Sequence, residues 1–282
     1  LFMATEESDN VYHAWQTISD DIYTQKKSLP DKFIKKFALN VKSSKKNENA
    51  KNNYSIPFDE LYLAAKGMGS VEFLADKDGI FRQTELMRKY DDSYFPVLGM
   101  SYLKDHLDLK KIELKQNSIL LDGAEVPLYN NKFFVSVKKN FQLYSISGIL
   151  SDIKSISEGD DENLIFNEDD LDGKIVFIGA TAAGLNDLKH TSLGLDLPGV
   201  FLHASIVENI LNKDFIRFYN SNKVFVFIII MFIFLGLISS LNFSWKSNIL
   251  FPISLGIYLV IAFYMFAKNN EVFPVVYPSI LF

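Results

Sequence analysis

The residues best suited to bind something lie around a turn bounded by two glycines. Gly179-Ala180-Thr181-Ala182-Ala183-Gly184 has the G-x-x-x-x-G spacing of a phosphate-binding loop, in which successive backbone N–H groups cradle phosphate oxygens. The Lys-Ser/Thr pair that completes such a loop is replaced by Leu185-Asn186. The spacing is not G-x-G-x-x-G either, so the dinucleotide fingerprint fails. Two readings stay open: a small anion held by backbone N–H groups, or a loop of small residues that lets the chain pass close to the next helix. Thr181 supplies a hydroxyl, Asp187 a carboxylate and His203 an imidazole. With Gly184 they make up the candidate ligand-binding set. His203 is read first as a core polar group bonded back to the Thr181 or Asp187 loop.

Other groupings carry less chemistry. Asp76-Lys77-Asp78-Gly79 starts like a calcium loop but lacks the third oxygen position and the distal Glu, so it reads as a tight turn. His13, His106, His190 and His203 form no H-E-x-x-H pair, and the chain has no cysteine. Neither a zinc site nor a disulfide framework has material to build on. Ser, His and Asp are present without a G-x-S-x-G elbow. No catalytic residue, metal or cofactor is assigned.

The elements that would position the loop follow from its flanks. Ile175-Val176-Phe177-Ile178 has no polar alternation and reads as a strand buried on both faces. After the loop, Pro198-Gly199 opens a helix with apolar positions at Val200, Ala204, Val207 and Leu211. Upstream, Pro57 to Gly69 holds a short helix closed by Gly67, and Gly69 to Ala75 reads as a strand. Phe95 to Leu107 has helical spacing. Short strands are expected at 112–114, 118–121 and 132–137, with Asp122-Gly123 as a hairpin turn. Tyr144 to Ile153 reads as strand passing into helix. Ser43 to Asn53 and Ser157 to Asp170 read as solvated loops. Leu1 to Thr5 reads as a strand already in progress, so the chain is expected to lack its own opening segment and anchor.

The C-terminal region follows a different logic. Val224 to Trp245 is an uncharged run of 22 residues, and Ser247 to Ala267 is another of 21. At ~1.5 Å per residue each is long enough to cross a hydrocarbon core of ~30 Å. Lys246 would sit in the turn between them. Val272 to Phe282 is apolar and reads as the start of a third span. Lys223, Lys246, Lys268 and Glu271 are the charges after residue 222, so the formal −5 divides into −7 before Lys223 and +2 after it. An acidic domain argues against nucleic acid as a partner, because phosphates call for a basic face.

Several separated motifs in order make the chain resemble the CHASE type 2 domain. These are Ala64-Ala65, Gly67-Met68-Gly69, Asp76-Lys77-Asp78-Gly79 with Arg82, and Phe95-Pro96. Ser147-Gly148 matches loosely. The closing block is Gly173 to Ala182, then Gly184-Leu185 with Asp187, Pro198-Gly199-Val200 and His203-Ala204. Thr191-Ser192 stands where the family usually has Thr-Pro. The resemblance implies an extracytoplasmic sensor followed by three transmembrane helices and a cytoplasmic output. That output is most often an adenylate or guanylate cyclase, otherwise a histidine kinase, serine/threonine kinase or phosphatase.

The expected fold class is therefore α/β. Residues 1–222 form an extracytoplasmic domain with a mixed sheet. Residues 223–282 form an α-helical transmembrane hairpin, with helices at about 224–245 and 247–267, and the start of a third span from about 272. The expected function is a sensory input region without catalysis of its own, multi-pass in the inner membrane. Its expected partners are the lipid bilayer, an unidentified small-molecule or physical cue, and a second copy in a homodimer. The competing class is a membrane-bound solute-binding or transport component, which intramembrane charges or broken helices would favour.

Overall fold

The computed structural model describes residues 1–17, 28–43, 54–90, 92–159, 164, 170–181, 187–219, 226, 229, 233 and 244–275. The chain opens with α1 (Phe2–Ser8), β1 (Tyr12–Thr17), α2 (Asp31–Phe37), β2 (Val41–Ser43), β3 (Tyr54–Ser55), α3 (Asp59–Ala64) and β4 (Gly67–Ser70). It continues through β5 (Gln83–Thr84), β6 (Met87–Tyr90), β7 (Ser93–Pro96), α4 (Leu98–His106), β8 (Ile112–Leu114), β9 (Ser118–Leu121), β10 (Ala124–Pro127) and β11 (Phe133–Phe134). Then come α5 (Ile146–Ser157), β12 (Leu188–His190), β13 (Asp196–Pro198), α6 (Gly199–Leu211) and β14 (Arg217–Phe218). The long helix α7 (Ser244–Asn269) and β15 (Glu271–Val272) follow.

Both of the larger sheets mix strand directions. In the order β3-β1-β4, β1 is antiparallel to β3 and parallel to β4. In the order β10-β9-β8-β2, two hairpin partners carry a parallel edge strand. The turn between β9 and β10 is made by Asp122 and Gly123 at φ 46° and 90°, the paired left-handed residues of a type I′ hairpin. β5/β11, β6/β7 and β12/β13 are antiparallel pairs, and β14/β15 is a parallel one. The fold is thus a mixed α/β domain of several small sheets.

Among the described residues two cores hold it together. In the larger, α4 and α6 pack with the β8–β10 meander through Met100, Leu103, Ile119, Leu121, Leu202 and Ile206. The smaller is aromatic: Trp15, Phe33, Phe37, Tyr62, Tyr90 and Phe95 interlock around β1 and α2, mostly in tilted or edge-to-face pairs that suit the ring quadrupoles.

The observed chain corrects several expectations. Residues 174–180 are not in a strand: Ile175, Val176 and Ile178 are 38, 55 and 79 % exposed, and Phe177 alone of the four packs on the core. An apolar run supplies β-propensity, but a strand also needs a neighbouring backbone, and none of the described strands pairs here. Leu1 to Thr5 begins α1, with Thr5 N–H bonded to the Leu1 carbonyl; a short apolar run does not separate helix from strand. Gly67 opens β4 instead of closing α3, which ends in extended backbone at Ala65.

One helix among the described residues is long and apolar enough to cross a membrane. It is α7, whose Pro252–Asn269 stretch has a mean hydropathy of 1.3. The span expected at 247–267 falls within it. α7 starts at Ser244, so Lys246 lies inside the helix and not in a turn, there being no breaker at 244–246 to stop it. Of the span expected at 224–245, most lies outside the described residues. The third span does not start at 272, because Val272 is in β15; residues 276–282 lie outside the described set. The loops expected at 43–53 and 157–170 also fall largely outside it.

Candidate sensing site

The site is organised by α6, which follows directly from the β12/β13 hairpin. Its apolar residues recur at helical spacing, and Gly199, Phe201, Leu202, His203, Ser205, Ile206, Val207, Asn209 and Ile210 are all buried. Two of its polar side chains fasten residues 136–138. Asn209 accepts from the Ser136 N–H at 2.8 Å and donates to its carbonyl at 3.0 Å. Ser205 accepts from the Lys138 N–H at 2.9 Å while donating to the Phe201 carbonyl. The segment 136–138 therefore gains from α6 the hydrogen bonds that a strand partner would otherwise supply.

Asp187 closes the N-terminal end of α6. The Gly199 N–H donates to the Asp187 carbonyl at 2.9 Å. The Asp187 carboxylate lies against the same glycine, so a Cβ at residue 199 would meet Oδ1 at 2.8 Å. Lys189 Nζ is 3.4 Å from that oxygen. A negative charge beside a helix N-terminus is favourable, and here the protein supplies it. Gly179 approaches the same end of α6, where a Cβ would fall 2.8 Å from Val200 Cβ. Gly179 thus packs closely on the first turn of α6.

Of the four candidate residues, Thr181, Asp187 and His203 lie among the described residues. Thr181 is exposed at the end of the 174–181 segment. Gly184 lies outside the described residues. Asp187 is at the head of α6. His203, one turn further on, is 3 % exposed and stands edge-on to Phe73 at 4.8 Å. Its Nδ1 is buried with no hydrogen-bond partner among the described residues. Burial pushes the His203 pKa down to about 4; a Val71 backbone hydrogen bond opposes that shift and the Arg88 charge adds to it. This imidazole is neutral at ordinary pH.

A charged group missed in the sequence lies beside His203. Arg88 of β6 is buried, and its guanidinium reaches the exit of β4. There it donates to Glu72 Oε2 and to the Glu72 carbonyl, both at 2.5 Å, and to Ser70 Oγ at 3.4 Å. Its Nε is 3.4 Å from Glu85 Oε2. The one sequence signal for it was an arginine inside Leu86-Met87-Arg88-Lys89-Tyr90, where strand alternation places it beside apolar neighbours. The Asp76–Gly79 turn forms as expected. Gly79 adopts φ 82°, and Arg82 forks onto Asp78 while also reaching Asp76.

The order of these parts along the chain agrees with a comparison to known families. Residues 4–238 match the CHASE2 domain. The chain belongs to the CHASE2 family. No curated protein and no solved structure matches it. CHASE2 domains are extracytoplasmic sensor domains, so this one is a sensory module. The match continues beyond Lys223 into the first uncharged run. In this CHASE2 domain β4 ends beside Arg88, whose guanidinium reaches Ser70 and Glu72. Asp187 and Gly199 lie at the head of α6.

Proposed function

We propose that the chain is a membrane-anchored input region that converts an extracytoplasmic cue into movement of its membrane helices. A cytoplasmic nucleotide cyclase would read that movement, on the family resemblance, with the protein acting as a homodimer and doing no chemistry of its own. The cue would act at the head of α6, on Thr181, Gly184 and Asp187, with His203 one turn into that helix.

The observation that carries this reading is the parallel pairing of β14 with β15. The chain leaves the domain at Phe218 and is back beside that residue at Val272. Between them runs α7, whose 26 residues extend about 39 Å. The 25 residues between Phe218 and Ser244 therefore have the same distance to cover in the opposite direction. As a helix they would span about 37 Å, which suits the uncharged run from Val224. The return of the chain to the acidic domain after α7 supports a hairpin of two spans.

The test is labelling of the full-length protein in intact cells. The chain has no cysteine, so Lys154→Cys and Ser244→Cys each provide a single reporter within it. An impermeant thiol reagent should modify position 154 from outside and position 244 only after permeabilisation. Modification of position 244 in intact cells would overturn the proposed orientation.

A further inference from the structure

Two helices, α6 and α7, each end at a residue in the left-handed conformation, and they end side by side. After α6 the backbone turns at Lys213, at φ 56°, and the Asp214 N–H reaches back to the Asn209 carbonyl at 2.8 Å. That is the six-to-one bond of a Schellman closure. After α7, Asn270 takes the same left-handed conformation at φ 54°. Asn270 meets the residue that follows Lys213, its Nδ2 donating to Asp214 Oδ1.

Further bonds frame this contact. The Arg217 N–H donates to the Asn270 carbonyl at 2.9 Å, and the Tyr219 N–H to the Val272 carbonyl at 3.0 Å. On the domain side, Asp214 Oδ2 accepts from Ser136 Oγ at 3.2 Å and from Lys138 Nζ at 2.5 Å. Ser136 and Lys138 are the residues whose backbones Asn209 and Ser205 of α6 already hold. The bonds close a ring: α6 grips 136–138, those residues grip Asp214, and Asp214 grips the end of α7. Coupling between distant sites travels through rigid elements of this kind. A single exposed ion pair would transmit little; here the contact is backed by strand pairing and by a buried helix.

We propose that Asp214 is the joint through which α6 and α7 move as one body. A displacement at the Asp187 end of α6 then reaches the outer end of α7, about 20 Å away along a 13-residue helix. The role in signalling rests on the sensor reading above; the mechanical joint does not.

The test uses the chain in lipid nanodiscs, with spin labels on cysteines replacing Lys115 and Lys268. Gly199→Ala pushes on Asp187 at the far end of α6. It should shift the 115–268 distance distribution when Asp214 is present and leave it unmoved when Asp214→Ala is added. Asp214→Ala alone should speed hydrogen exchange at the Arg217 and Tyr219 amides about tenfold. Asn270→Ala removes the donor from outside the domain. It should reproduce both effects even if Asp214→Ala disturbs folding. The joint is overturned by an equal shift with and without Asp214, by no shift in the Gly199→Ala parent, or by unchanged exchange in the Asn270→Ala chain. Failure of the thiol-labelling pattern instead overturns the sensor orientation and leaves the joint standing.

Discussion

Gly69 and Leu98 touch backbone to backbone. A Cβ built on Gly69 would lie 2.2 Å from Leu98 Cα and 2.5 Å from its nitrogen. Leu98 is the first residue of α4, so this contact sets how closely α4 approaches β4. Neither partner can relax by turning a side chain. Gly69→Ala should therefore cost roughly 3 kcal/mol or more, at the upper end of overpacking effects. Urea unfolding followed by near-ultraviolet circular dichroism would measure it, and a cost below about 1 kcal/mol would contradict the contact.

His203 predicts an acid-sensitive fold. Its pKa is lowered to about 4 in the folded chain, against about 6.5 when unfolded. Between those values the unfolded chain binds a proton that the folded chain refuses, so stability falls as pH drops from about 6.5 towards 4 and levels off below that. The loss attributable to this group is on the order of 3 kcal/mol. A His203→Phe chain should lose that slope. Parallel pH titrations of unfolding free energy would reveal an unchanged slope if the ring is not the cause.

Arg88 and its two carboxylates predict an asymmetry. The Arg88 side chain is 3 % exposed, whereas Glu72 and Glu85 are 22 and 45 % exposed. Removing the Glu72 carboxylate takes the closer counter-charge from a buried guanidinium and leaves it the 3.4 Å pair with Glu85; removing Arg88 leaves carboxylates that water can reach. Glu72→Ala should cost about 3–5 kcal/mol, and Arg88→Met distinctly less. Denaturant midpoints for the two variants would decide, and equal costs would mean that solvent reaches Arg88 as well.

The segment after Gly173 predicts tolerance where its sequence suggests none. Val176 and Ile178 point outward and Phe177 inward. Val176→Asp should change stability by less than about 0.5 kcal/mol, as surface substitutions do. Phe177→Ala should cost more, towards the lower end of the ~3–5 kcal/mol range for burying a ring, since Phe177 is only partly buried. A large loss for Val176→Asp, seen in thermal unfolding, would restore the buried strand.

The contrast between α6 and the 175–178 run shows which features were legible. α6 announced itself locally, through apolar spacing and a Pro198-Gly199 start, and its boundaries agree with that pattern. The β9–β10 hairpin did too, because Asp122-Gly123 is a turn whatever lies around it. A strand is different, since it exists only when a second backbone lies alongside. Arg88 was illegible for a related reason: its meaning depends on Glu72, brought to it by the exit of β4, as well as on its sequence neighbour Glu85. Within the candidate set, the link between Asp187 and the helix start follows from the sequence order. The direction in which His203 points does not, because neighbouring rotations around α6 face different elements.

The outward face of α5 has a practical consequence. Asp152 is turned inward and buried, while Ile146, Leu150 and Ile153 are each more than half exposed. A properly folded sample therefore presents an oily stripe to the medium. Dyes such as ANS, normally used to report loose or melting protein, should already fluoresce on the native chain. Dye-based melting curves would then start high and understate the transition, so tryptophan emission, to which the buried Trp15 contributes beside Trp245, is the sounder thermometer for this molecule.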